Sequence, residues 1–140
     1  MNEHGFIQAV HRYLPDELLK WKINDGYTGG VPDAFYLGAT QSLFVEYKYI
    51  KTLPKRDTTL VRPHLTEQQK LWLNRMCNFK QPVAVIIGAE KDQAVILIDK
   101  RWNNKITKEW FIKKAVTYKT AAKWIERLCC IQTRQEEPHG

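Results

Sequence analysis

Two short strings decide how this chain is read: Gly30-Val31-Pro32-Asp33 and Val45-Glu46-Tyr47-Lys48. Alternate residues of a strand share a face, so Glu46 and Lys48 project together. Their flanks, Phe44, Val45, Tyr47 and Tyr49, are apolar or aromatic, which marks a buried strand rather than a solvated edge. Ala34 to Leu37 reads as one strand, Gly38-Ala39-Thr40-Gln41 as a turn and Leu43 to Ile50 as a second strand. The pair predicts a hairpin that brings Asp33 beside Glu46. A charged residue in such surroundings is expensive unless it is paired or bound to a cation.

Working outward, residues 3–14 place Phe6, Ile7, Val10, Tyr13 and Leu14 on one helical face, with Pro15 ending the helix or opening a short turn. Trp21 to Asn24 suits a short strand, and Asp25-Gly26-Tyr27-Thr28-Gly29-Gly30 is loop chemistry. Residues 51–64 read as a basic loop. Thr66 caps a helix reaching about Phe79, with Leu65, Leu71, Trp72, Arg75 and Met76 along its apolar stripe. Val83 to Ile87 and Ala94 to Ile98 are neighbouring strands, the segment 102–118 fits helix or strand, and Thr120 to Cys130 is a final helix. The order predicts an α/β layer domain with a central mixed sheet flanked by helices.

The 140 residues suit one domain, 1–131, followed by a polar tail, 132–140. The longest apolar run, Pro82 to Ala89, is far short of the ~18–20 residues that span a bilayer. No membrane segment, secretory signal or organic cofactor is expected, and an odd cysteine count (Cys77, Cys129, Cys130) suits a reducing, cytoplasmic setting. Residues 1–50 carry four Lys/Arg against six Asp/Glu, whereas 51–140 carry eighteen against nine. That split suits a carboxylate site set in a surface that attracts a polyanion. Ser42 is the only serine, which leaves Ser/His/Asp catalysis without support.

Two carboxylates and a lysine on one face are what metal-assisted phosphodiester hydrolysis needs. Asp33, Glu46 and a backbone carbonyl near Tyr47 offer oxygen ligands to a hard cation such as Mg²⁺ or Mn²⁺. Lys48 then neutralises developing charge or handles the attacking water. The plainer alternative is a Glu46–Lys48 salt bridge, with Asp33 capping a turn. At Pro32-Asp33 and Glu46-Tyr47-Lys48 the chain resembles the PD-(D/E)xK nuclease superfamily, and within it the virus-type replication-repair (VRR-NUC) group. Two further strings carry the resemblance: an early helical acid, Glu3, with Glu17 as its substitute, and Leu65-Thr66-Glu67-Gln68-Gln69 opening the next helix. The resemblance spans about residues 3–88. It implies a restriction-endonuclease-like core, Glu3 as a further metal ligand, Gln69 in the catalytic set, and DNA as substrate. It also implies structure-specific cleavage of branched, Holliday-junction-like DNA by a homodimer, in a host cytoplasm if the source is viral. Lys51, Lys55, Arg56, Arg62 and His64 are placed to grip backbone phosphates. Lys100-Arg101-Trp102, with Lys105 and Lys108, forms a second basic cluster whose Trp either packs inside or stacks a base. The competing functions are a non-catalytic DNA- or replication-protein-binding module and an RNA nuclease.

Overall fold

The computed structural model describes residues 1–24 and 28–130; the loop positions 25–27 and the tail therefore lie outside the described residues. Asn2 caps helix α1 (Glu3–His11) by accepting the Gly5 N–H at 2.8 Å. The helix is one turn shorter than its apolar spacing predicts, and the consequence is visible in Tyr13, which is exposed although Leu14 is buried. Strands β1 (Leu19–Lys22), β2 (Ala34–Leu37) and β3 (Ser42–Ile50) follow as an antiparallel meander. The first lies two residues earlier than expected and is exposed along its whole length.

Helix α2 (Glu67–Asn78) crosses over to β5 (Val83–Ala89), which pairs parallel with β3; β6 (Gln93–Leu97) returns antiparallel. The sheet order is therefore β1-β2-β3-β5-β6, a mixed sheet with β3 at its centre. All seven residues of β5 are buried, because helices cover both of its faces. On one face α1 and the last helix, α4 (Tyr118–Cys130), enclose Phe6, Val10, Tyr36, Tyr47, Ile86 and Ile125. On the other, α2 and α3 (Lys108–Lys114) enclose Leu73, Val85, Ile87, Leu97 and Phe111. Gly88 of β5 admits the Phe6 ring so closely that a Cβ there would stand 2.6 Å from the ring's Cζ.

Two local expectations are corrected and one open reading is resolved. Leu65 and Met76 pack toward the core as expected, but the buried centre of the α2 stripe is Leu73, while Leu71 is 56% exposed and faces solvent. The basic loop holds a two-residue strand, β4 (Leu60–Val61), paired with β7 (Ile106–Thr107). The loop is tied to the start of α3, since Lys108 N–H donates to the Thr59 carbonyl and Glu109 N–H to that of Asp57. The 102–118 segment resolves into a 3-10 turn at Arg101–Asn103, then β7 and α3. Trp102 packs inside, its Nε1 donating to Asn74 Oδ1 at 2.8 Å.

Candidate active site

β2 begins at Ala34, opposite Val45, so β3 runs on to Ile50 with no β2 residue beside its second half. Asp33 fills the first gap. Its carbonyl accepts the Ile23 N–H at 2.7 Å, and its Oδ2 accepts the Tyr47 N–H at 2.9 Å. The loop before it is held against α2 at Gly30, whose φ of 91° suits glycine and where a Cβ would meet the Gln68 backbone and the Trp72 ring. The Asp33 loop and the start of α2 are thereby fixed to one corner.

Glu46 projects toward that corner and is only 1% exposed. Its Oε2 accepts a hydrogen bond from Gln69 Nε2 at 3.0 Å and lies 3.5 Å from Lys48 Nζ. Gln69 is oriented by a capping box: Thr66 Oγ1 accepts the Gln69 N–H, and Gln69 Oε1 accepts the Thr66 N–H. With its oxygen committed to Thr66, the amide can offer Glu46 only its N–H. The other carboxylate oxygen, Glu46 Oε1, is buried and has no hydrogen-bond partner among the described residues. The structure thus brings Asp33, Glu46, Lys48 and Gln69 together, with the Tyr47 backbone between the two carboxylates.

Electrostatically the corner is short of positive charge. Burial, then Asp33, pushes the Glu46 carboxyl up to about 8, with Lys48 opposing and Glu3 adding to the rise. Asp33 is raised by burial against the pull of the Tyr47 N–H, Lys48, the neighbouring Glu46 carboxyl and Lys22. Glu3, at the start of α1, is raised by burial and by Asp33, and lowered by Lys48 and Lys22. Glu3 therefore shares the field of the site, whereas Glu17 is exposed beyond the end of α1. Among the described residues no three His, Cys, Asp or Glu side chains stand close enough together to hold a metal. Asp33, Glu46 and the Tyr47 carbonyl nevertheless fit a hard divalent cation. They are oxygen donors, Asp33 disfavours the charge on Glu46, and Glu46 Oε1 is buried with no hydrogen-bond partner among the described residues.

Sequence reasoning missed the support beneath Tyr47. On the opposite face of β3 its hydroxyl lies 2.6 Å from that of Tyr36, which lies 2.7 Å from His11 Nε2. Burial, then Lys20 and Lys22, holds the His11 imidazole down to about 4, so it is neutral here. The chain pins α1, β2 and β3 together behind the strand that carries the site. The inward alternation of Ala34 and Tyr36 was its only sequence signal.

The five predicted phosphate-gripping residues part company. Lys51 and Lys55 line one groove, together with Lys91 and Lys108. Arg62 and His64 line another, and Arg56 is exposed and lines neither.

No protein-family model matches the sequence, and no curated protein is similar to it at a significant level. Among solved structures the chain is similar to Hjc, a Holliday junction resolvase from the archaeal hyperthermophile Archaeoglobus fulgidus. The two superpose with a TM-score of 0.55 at 12% identity, over 86% of this chain and 96% of that one. At that identity the likeness is one of fold, and the fold is restriction-endonuclease-like: a central mixed sheet flanked by helices.

Proposed function

We propose that this chain is a divalent-metal-dependent DNA endonuclease of the PD-(D/E)xK type, acting on branched, Holliday-junction-like DNA. The observation that carries the reading is Glu46: a buried carboxylate with one oxygen held by Gln69 and Lys48 and the other without a hydrogen-bond partner among the described residues, beside Asp33. A salt bridge to Lys48 alone would leave that oxygen unexplained. Mg²⁺ or Mn²⁺, held by Asp33, Glu46 and the Tyr47 carbonyl, would supply charge for the phosphate and a more acidic water. Glu3 adds negative charge at the rim and is the third candidate ligand. Gln69 holds Glu46 Oε2, which leaves Oε1 for the cation. Lys48 is paired with Glu46, so its ammonium can meet the charge that develops on the phosphate.

The fold shared with a junction resolvase supports branched DNA as substrate, and Gln69 within Leu65-Thr66-Glu67-Gln68-Gln69 supports the VRR-NUC assignment. We take residues 1–131 as the nuclease domain, working as a homodimer wherever the DNA lies, in the cytoplasm or a host's cytoplasm. The test compares wild type with Asp33→Asn on single-stranded, duplex, flap and four-way-junction DNA, with Mg²⁺, Mn²⁺ or EDTA. Metal-dependent cleavage by the wild type alone, with the junction preferred, is expected. DNA binding without cleavage under any metal would favour the non-catalytic module instead.

A further inference from the structure

The pairing of β4 with β7 does more than tether a loop. It joins two clusters that are more than forty residues apart in the chain and forms a groove of about 380 Å³ between them. Its polar lining is Arg62, His64, Lys70, Asn103, Asn104 and Lys105, and among the described residues no acidic side chain lines it. Lys70 has an ion-pair partner, Glu67, but at 3.8 Å and with Glu67 almost fully exposed the pair is weak. Asn103 is held in place from below, its Nδ2 donating to Asn74 Oδ1 at 2.9 Å. His64 sits at the groove with a φ of 59°, a left-handed conformation that few non-glycine residues adopt. Three full cations in a concave surface, with only the exposed Glu67 beside one of them, repel one another, and a string of anions would relieve that repulsion. The groove also shares the first turn of α2 with the carboxylates: Gln69 reaches Glu46, and the next residue, Lys70, lines the groove.

We infer that the Arg62–Lys70–Lys105 groove is a binding site for the phosphodiester backbone of DNA, separate from the carboxylate corner. It would hold a stretch of strand that is not being cut. The inference rests on the proposed nuclease reading, because it takes DNA as the polyanion.

The experiment measures duplex DNA binding against salt concentration, in EDTA so that no cleavage intervenes. Three proteins are compared: the wild type, Arg62→Gln with Lys105→Gln, and Lys119→Gln with Lys123→Gln. The last pair removes the same charge from exposed positions of α4, across the sheet. Far-ultraviolet dichroism and thermal melting establish that all three are folded. Each lost phosphate contact lowers the slope of log K against log salt by about one, so the groove pair should lower it by about two. The α4 pair should change it by less than half of one contact. An unchanged slope in the groove pair, or equal losses in both pairs, overturns the groove while leaving the nuclease reading standing. Absence of salt-dependent DNA binding by the wild type sinks that reading, and the groove with it.

Discussion

Glu46 and His11 are the two side chains whose burial most clearly sets a pH dependence, and they act on opposite limbs. Glu46 titrates at about 8 in the folded chain against an ordinary 4.5, so the native state holds a proton that the unfolded state has released. Its ionisation therefore removes stability as pH rises from about 4.5 through about 8, in the absence of metal. His11 titrates at about 4 against 6.5, so the unfolded state takes up a proton first. Stability is lost as pH falls from about 6.5 toward about 4. Thermal melting across pH in EDTA should show both limbs. Saturating Mn²⁺ should lift the alkaline limb alone, and His11→Gln should flatten the acid limb alone. A melting temperature that Mn²⁺ leaves unmoved at pH 8 would count against Glu46 as a ligand.

At the scale of the element, α2 shows one residue serving helix and site together. Gln69→Glu keeps the capping box, because a carboxylate accepts the Thr66 N–H equally well, but it replaces the donor to Glu46 with an acceptor. We expect this variant to melt near the wild type at pH 5 yet cleave at least tenfold more slowly at pH 7. Gln69→Ala should lose about 1 kcal/mol of stability as well as activity. Comparing melting with single-turnover rates separates the two roles. The cap at Thr66 and the hairpin from Ala34 to Ile50 were legible in the sequence because both rest on local chemistry: a side chain bonding three residues on, and apolar alternation. Asp33 beside Glu46 followed from the hairpin register. What was not legible depends on partners distant in the chain. Leu71 and Leu73 are the same residue type, and only the position of β5 decides which is buried. The pairing of Val61 with Ile106 leaves no trace in spacing, and the alternation that turns Tyr36 inward does not say that His11 meets it.

At the scale of the whole molecule, the sheet separates two apolar layers, and the site lies where the short β2 lets both layers reach β3. Gln69 comes from the α2 layer, whereas Glu3 belongs to a helix of the other. How near Glu3 stands is governed by how deeply α1 lies, and α1 rests on Phe6 over Gly88. A methyl at residue 88 would have to lift the ring, and with it the first turn of the helix. Gly88→Ala should destabilise the fold by about 1–3 kcal/mol, the usual range for overpacking, and weaken metal affinity although residue 88 holds no ligand. Cleavage restored by excess metal is the expected signature, and calorimetric metal titration is the direct check; an unchanged affinity would show that α1 absorbs the methyl without tilting. Gly88 is thus a spacer of zero thickness. Its single side-chain hydrogen sets the gauge between two parts of the molecule, so the site can be tuned from a residue near the end of β5 that contributes no ligand.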